Sequence, residues 1–402
     1  MKKYGLVGKK LNYSYSQIIH RKLAELLNID MNYELIEVDN LEDIDLKEYN
    51  GLNITIPFKK EVLDYLKSKD ESVAMTDCCN TIDQNGCGYN TDLAGFEYLL
   101  ASICIDTASI KRVVVLGDGA MSKMLELYFK DCEVHIVSRK KDNIEDNDLI
   151  YGDLLINTTP LGMGELHDQI LINEACIKNF SAVIDLNYNP IINRMLNTAA
   201  KHQIVNANGL SMLIFQAVKA FEIWNDVIVG EEIIGVVKSE ILELTTNGIA
   251  IIGMPLSGKS HYFSNVIKQS GEYVDVDDYI EKKINDTIFN YINKNGEKKF
   301  RELETASLQE IVDKGYKYIA CGGGIVERFE NRYILRNYQI KNISKPFDEL
   351  LHRYRVTNNN RPLLQDEKKL EETFVRRYAL YNFFQNTKGL CYEDKCDKWT
   401  ES

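Results

Sequence analysis

The stretch "IAIIGMPLSGKSHYF" at 249–263 constrains the fold of this chain more than any other. An apolar run leads into Gly253 to Ser260, which fits G-x-x-x-x-G-K-[ST], and a helical pattern follows. In such a loop Gly253 and Gly258 free the backbone, so that its N–H groups cradle phosphates. Lys259 then reaches the β- and γ-oxygens of a nucleotide such as ATP, and Ser260 ligates Mg²⁺. A loop of this kind belongs near the start of its domain, yet here it opens at Gly253. The residues before it must form something else. The chain has 402 residues, and at about 150 residues per domain that length predicts two or three domains.

Hydrophobic residues make up 45% and charged residues 27% of the chain, the balance of a globular protein. The formal charge of −12 excludes a general nucleic-acid or membrane-surface binder, since those need a basic face. It does not oppose small anions, which a few local arginines can hold. Nine cysteines without tight C-x-x-C spacing read as free thiols in a reducing cytosol. "MKKYGLVGKKLNYS" lacks the apolar core of a signal peptide, and no run approaches the ~18 apolar residues of a membrane span. The expectation is a soluble, cytoplasmic protein with neither nucleic-acid nor membrane partners.

Residues 1–97 alternate β-like runs (YGLVG, YELIEV, GLNITI) with helical patterns such as "SQIIHRKLAELLN", which predicts an α/β unit. A second unit opens at "KRVVVLGDGAMSKMLELYFKDCEVHIVSRKK" as strand, glycine turn, helix, strand. "DLLINTTPLGM" and "AVIDLNYNP" read as further strands, and "GLSMLIFQAVKAFEIW" as an apolar helix. Residues 225–246 form a mixed helical segment ending at "TTNG".

In "VVVLGDGAMS", Gly117 and Gly119 take the first two glycine positions of G-x-G-x-x-G, with Ala120 opening the helix. The first glycine permits the tight turn, and the second lets backbone N–H groups approach a pyrophosphate. An ordinary strand-to-helix turn is the alternative, but the flanking strand, helix and second strand favour a dinucleotide site. An NAD enzyme usually carries Asp or Glu at the end of that second strand. Here stand Ser138, Arg139, Lys140 and Lys141, whose cations suit the 2′-phosphate of NADP(H). Asp118 is discordant, because a carboxylate in the turn repels a pyrophosphate unless it points away.

Four stretches of the first hundred residues are unremarkable singly: "YSYSQ", "NITIPFK", "CNTI" and "GYNTDLAGF". In this order they resemble shikimate dehydrogenase. That family's S-x-S, N-V-T-x-P-x-K, V-N-T and N-T-D-x-x-G-F are matched by Ser14 and Ser16, Asn53 to Lys59, Asn80-Thr81 and Asn90 to Phe96. Asp185, Tyr188 and Pro190, then Met212-Leu213 and Gln216, complete a resemblance over about 4–224. It implies that Lys59 is the acid–base group and Asp92 its charged partner. Ser14, Ser16, Thr55, Asn80 and Gln216 would hold the hydroxyls and carboxylate of 3-dehydroshikimate, with Tyr188 nearby in the cleft.

After the phosphate loop comes "YVDVDDYIEKKI". If 273–277 is a strand, alternation puts Asp275 and Asp277 on one face, one carboxylate for the metal and one for a substrate hydroxyl. "GEKKFRELE", "IACGGGIV", "RYRVTNNNRPLL" and "RRYALY" follow, and this order resembles shikimate kinase over nearly all of 248–381. The resemblance implies that Asp275 helps hold Mg²⁺ through its hydration shell and that Asp277 activates the acceptor hydroxyl. Arg301 and Arg377 would grip the carboxylate, with Gly322, Gly323 and Gly324 lining the pocket. Arg361, beyond the polar segment "TNNN", would close onto the transferring phosphoryl group.

Together the resemblances imply three parts. Residues 1–97 form an α/β substrate domain, with helices at about 208–240 packing back on it, and 98–207 a Rossmann-type NADP domain. A linker at 241–247 leads to 248–402, a P-loop α/β kinase domain of the nucleoside-monophosphate-kinase type. The implied function is bifunctional, with 3-dehydroshikimate and shikimate as small-molecule substrates. The alternatives are one silent half serving as a nucleotide-binding regulatory module, or a dehydrogenase half preferring quinate.

Overall fold

The computed structural model describes residues 1–11, 14–138, 150–259, 261–262, 273–356 and 366–385. Among the described residues the chain divides into two units, residues 1–188 with 204–242, and residues 189–203 with those from 243 to 385. Residues 189–203, expected within the nucleotide-binding stretch, therefore group with the second unit.

The first unit holds two sheets. β1 (Lys2–Gly8), β2 (Met31–Glu37), β3 (Gly51–Ile54), β4 (Ser68–Lys69), β5 (Thr81–Asp83) and β6 (Cys87–Tyr89) form one in the order β2-β1-β3-β5-β6-β4. β1 runs parallel to both β2 and β3, which requires crossovers; α1 (Ser16–Leu26) supplies the first. α2 (Glu71–Thr76) and α3 (Thr91–Ser102) follow along the chain. The Asn90 side chain caps α3 by accepting from Asp92 N at 3.1 Å, which fixes where that helix and its Asp92 begin.

The second sheet is entirely parallel. It comprises β7 (Arg112–Leu116), β8 (Glu133–Val137), β9 (Gly152–Asn157), β10 (Phe180–Asp185) and β11 (Val205–Asn208), ordered β11-β10-β9-β7-β8. Val113, Val114 and Val115 are fully buried, as a continuous apolar strand covered on both faces requires. α4 (Ala120–Tyr128) follows β7, and α5 (Arg194–Lys201) follows β10 along the chain.

α6 (Leu210–Asn225) and α7 (Glu231–Thr245) return the chain to α1, where Ile214, Phe221, Val237 and Ile241 pack with Ile19 and Leu23. At the end of α6, Trp224 Nε1 donates to the Ile82 carbonyl at 3.0 Å. A Cβ added to Gly51 would lie 2.4 Å from that indole, so glycine in β3 is the seat of the ring. The expected linker at 241–247 is mostly helix. α7 continues to Thr245 because its apolar periodicity extends to buried Ile241, leaving Thr246 and Asn247 before the next strand.

In the second unit, β12 (Gly248–Ile252), β13 (Tyr273–Asp275), β14 (Tyr318–Ala320) and β15 (Tyr338–Asn342) form a parallel sheet ordered β13-β14-β12-β15. Besides α5, the helices of the described residues are α8 (Val276–Ile284), α9 (Ile288–Asn295), α10 (Glu297–Asp313), α11 (Phe329–Ile334), α12 (Phe347–Val356) and α13 (Glu367–Gln385). Ile252, Val276, Ile280, Leu308 and Ile319 share one core. The expected strand through 273–277 is corrected here: it stops at Asp275, which turns the chain into α8. The Asp275 side chain accepts from Asp277 N and Asp278 N at 2.9 and 3.3 Å, an N-cap in place of a third alternation.

Candidate active sites

In the first unit, Lys59 follows β3 and Asp92 stands in the first turn of α3. Lys59 Nζ donates to Asp92 Oδ2 at 2.6 Å, with the two side chains 18% and 14% exposed. Burial pulls the amine towards its neutral form, and the Asp92 carboxylate more than offsets this, holding Lys59 above its ordinary value. The result is a sheltered ammonium, charged at neutral pH, beside an equally sheltered carboxylate.

Around this pair lies a buried polar network. The Asn80 carboxamide oxygen accepts from Thr91 N at 2.8 Å and from Thr81 Oγ1 at 3.1 Å, tying the start of β5 to the start of α3. Asn53 Oδ1 accepts from the Tyr33 hydroxyl at 2.7 Å and lies 3.1 Å from His20 Nε2, while its Nδ2 donates to Thr81 Oγ1 at 3.1 Å. His20 stacks on Tyr33 with ring centroids 4.3 Å apart, and its full burial lowers it to about 3, so it is neutral. Ser14 Oγ accepts from Ser16 N at 3.2 Å at the start of α1. Thr55 N donates to the Val7 carbonyl at 2.9 Å. Tyr15 and Tyr188 meet edge-on at 6.0 Å, and burial pushes Tyr188 up to about 12. A Cβ on Gly95 would lie 2.7 Å from the Met212 carbonyl oxygen, so this glycine lets α3 and α6 approach and brings in Gln216. Gln216 Nε2 is itself held by the Leu213 carbonyl at 2.8 Å.

At the glycine turn, Gly117 has φ +114°, and a Cβ there would lie 2.5 Å from Thr158 Oγ1. Gly119 is the N-cap of α4, has no side-chain cap, and an added Cβ meets nothing within 4 Å. Open space over the uncapped first turn fits a diphosphate. Asp118 is exposed. Ser138 is buried just beyond β8, whereas Arg139 and Lys140 lie outside the described residues.

In the second unit, the phosphate loop follows β12. Gly253 and Gly258 have φ +149° and +95°, and a Cβ on Gly253 would lie 2.5 Å from the Ile343 carbonyl oxygen. Lys259 Nζ donates to the Gly253 and Met254 carbonyls at 2.6 and 3.0 Å, curling the loop around the ammonium. A cavity of about 440 Å³ is lined by Gly258, Lys259, Asp275, Asp277 and Gly323 among others. A nucleotide phosphate and its metal fit this donor set; Ser260 lies outside the described residues. Water reaches Asp277 through the open cavity. Even so, the protein packed around it and the Asp275 and Glu304 carboxylates push it up to about 7, against Lys259 and Arg301.

Each of the three glycines at 322–324 makes room for a different neighbour. Added Cβ atoms would lie 2.6 Å from Asp277 Oδ1 at Gly322, 2.8 Å from Pro255 Cδ at Gly323, and 2.1 Å from Arg301 Nη1 at Gly324. Arg301 is held by Glu304 and Glu297 at 2.9 and 3.1 Å, and Arg377 Nε by Glu327 at 2.5 Å. The Tyr381 hydroxyl donates to the Gly323 carbonyl. Arg361 lies outside the described residues.

The shikimate dehydrogenase substrate-binding-domain model matches residues 6–82, and the shikimate kinase model residues 257–393. Shikimate dehydrogenase (NADP(+)) of Clostridium beijerinckii is 37% identical over 251 residues, 56% of this chain and 93% of its own length. The chain belongs to the shikimate dehydrogenase family. A chorismate mutase/shikimate 5-dehydrogenase fusion protein from Clostridium acetobutylicum superposes with TM-score 0.56 at 30% identity, covering 61% of this chain and 98% of that one. Shikimate dehydrogenase 1 from Peptoclostridium difficile gives 0.53 at 32% identity, over 60% and 98%. The kinase match begins inside the phosphate loop, within the second unit.

Measured against that membership, the structure brings Lys59 and Asp92 into contact, and gathers Lys259, Asp275 and Asp277 in one cavity. His20, Tyr33 and Glu327 were not singled out in the sequence, while Thr81, Thr91, Glu304 and Tyr381 stood there within motifs but were given no role of their own. Glu304 carried a signal as the last residue of "GEKKFRELE", and His20 as a polar residue on the buried face of α1. Glu327 carried none.

Proposed function

We propose that this chain catalyses two consecutive steps of chorismate biosynthesis, reducing 3-dehydroshikimate to shikimate and then phosphorylating shikimate to shikimate 3-phosphate. NADPH supplies the hydride, and ATP with Mg²⁺ the phosphoryl group. One observation carries the reading: each unit presents a proton-handling group whose charge state suits its own reaction. Lys59 is held protonated by Asp92, ready to give a proton to the oxygen that becomes the new hydroxyl. Asp277, pushed up to about 7, is ready to take the proton of the hydroxyl being phosphorylated. The carbon reduced in the first step bears that hydroxyl.

The remaining roles follow. Ser14, Ser16, Thr55, Asn80 and Gln216 bind the substrate of the first unit, bordered by Tyr188. Gly117, Gly119, Ala120, Ser138, Arg139 and Lys140 hold NADP. Arg301 and Arg377 receive the carboxylate in the second unit, over the floor of Gly322 to Gly324, because guanidinium groups bind carboxylates bidentately. Gly253, Gly258, Lys259 and Ser260 hold the nucleotide, Asp275 its metal, and Arg361 steadies the phosphoryl group. Residues 1–97 and 98–207 act as the substrate and NADP domains and 248–402 as the kinase. Among the described residues no helix is long and apolar enough to cross a membrane. With the charge of −12, small molecules in the cytoplasm are the partners that fit.

The test is one mixture of the purified chain, 3-dehydroshikimate, NADPH, ATP and Mg²⁺, followed for NADPH loss and for shikimate 3-phosphate. Both signals are expected. NADPH loss without phosphate ester, with added shikimate also left unphosphorylated, would refute the second half.

A further inference from the structure

The two arginines assigned to the substrate carboxylate are already occupied, but in different ways. Arg301 pairs with Glu304, whose side chain is 1% exposed and has no route away. Arg377, itself 3% exposed, pairs with Glu327, which is 19% exposed and closes the turn Ile325–Glu327 directly after the three glycines. The oxygen that Arg377 Nε meets at 2.5 Å, Glu327 Oε1, also accepts from Arg376 Nη2 at 2.7 Å. Arg376 is 55% exposed. One carboxylate oxygen therefore bridges a buried cation and a surface cation. A buried guanidinium requires a counter-charge, and an incoming carboxylate can supply it only where the resident one has somewhere to go.

The geometry points to Glu327 as an internal stand-in for the substrate carboxylate, released from Arg377 onto Arg376 when the acid binds, so that it sets the affinity of the kinase site for its acid. This rests on the kinase reading given above. Glu327 touches no reacting atom, so its effect falls on binding more than on turnover.

The experiment uses the full chain with saturating ATP and Mg²⁺ and varied shikimate, together with shikimate methyl ester as a probe that lacks the charge. Glu327→Gln is expected to lower KM for shikimate by about threefold to tenfold, the scale of one charge-assisted contact, with a smaller change in kcat. Arg376→Ala, a surface change that keeps the fold testable should the first variant misfold, is expected to raise KM by roughly twofold to threefold by removing the landing place. For the methyl ester both effects shrink towards none. A KM for shikimate that stays the same or rises in Glu327→Gln, or shifts equally for acid and ester, overturns the inference and leaves Glu327 as a brace for Arg377. If Arg376→Ala leaves KM unchanged, the exchange partner is wrong and the inference fails. No phosphorylation by the unaltered chain sinks the kinase reading and this inference with it, whereas phosphorylation with unmoved KM values sinks the inference alone.

Discussion

The proposed acid–base centres of the two units are built on opposite electrostatic plans. In the first, one cation meets one carboxylate at 2.6 Å, and the pair is nearly self-neutralising. In the second, the protein packed around Asp277 raises it most, the Asp275 and Glu304 carboxylates raise it further, and Lys259 and Arg301 hold it back, so that it is pushed up to about 7. A donor needs a partner that keeps its proton on; an acceptor needs neighbours that make the empty state costly. Burial favours the neutral form at both centres; at Lys59 an opposite charge overrides it, and at Asp277 like charges reinforce it.

The largest expected effects come from removing each cation. Lys59→Ala should reduce NADPH-dependent reduction by about 10²–10⁴-fold while leaving phosphorylation of added shikimate intact, since it removes a positioned proton donor. Lys259→Ala should do the reverse, costing phosphorylation about 10²–10³-fold through lost stabilisation of developing charge. Separate assays of NADPH oxidation and phosphate-ester formation read both. If either variant lowers both activities alike, the two centres are not independent.

A smaller effect separates the plans by geometry. A Cβ at Gly324 would lie 2.1–2.2 Å from three atoms of the Arg301 guanidinium, which is buried and held by Glu304. Gly324→Ala must displace that pair, at a cost of about 1–3 kcal/mol. KM for shikimate in the kinase reaction should rise about tenfold, with NADPH oxidation unchanged. A wild-type KM in this variant removes Arg301 from carboxylate binding.

The pH profiles should bend in opposite directions. As the proposed base Asp277 would act when deprotonated, so phosphorylation should fall as pH drops through about 7. As the proposed donor Lys59 would act when protonated and is held above its ordinary value, so reduction should stay level through neutrality and fall only at alkaline pH. In Asp92→Asn the main upward pull is gone and burial favours the neutral amine, so the alkaline limb should move towards neutrality. Initial rates of each reaction between pH 5 and about 10 would expose a shared limb, which the opposite plans forbid.

Much of this was legible because glycines and short motifs carry their constraint locally. "GMPLSGKS" and "CGGG" place backbone where side chains cannot go, and the structure shows the neighbours that forbid them. Asp275 and Asp277 line one cavity, but not by strand alternation, since a spacing of two reads equally as that or as a cap with its second helical residue. The expected linker at 241–247 spans the change of unit between Leu242 and Glu243, yet it is helical to Thr245 because "VVKSEILELTTNG" contains no breaker before Asn247 and Gly248. The His20–Tyr33–Asn53–Thr81 network was invisible for another reason. Those residues come together only once β1 pairs with β2 and β3, and β3 with β5. Pairing of strands so far apart leaves no local mark.

The smallest effect concerns the glycine turn, where two neighbouring glycines serve different ends. Gly117 has φ +114° with Thr158 Oγ1 2.5 Å from an added Cβ, so Gly117→Ala must strain the fold itself, by about 1–2 kcal/mol. A lower melting temperature for the first unit should result, with or without cofactor. Gly119 has φ −82° and nothing within 4 Å, so alanine fits there and slightly restricts the unfolded chain. Gly119→Ala should therefore leave the melting temperature unchanged or raise it slightly, while KM for NADPH rises several-fold because the methyl stands over the uncapped turn of α4. Thermal melts paired with NADPH titrations distinguish the two. A Gly119→Ala variant that melts normally and binds NADPH as tightly as the parent would move the diphosphate away from this turn, and with it the comparison between a glycine that shapes the chain and one that leaves room for a ligand.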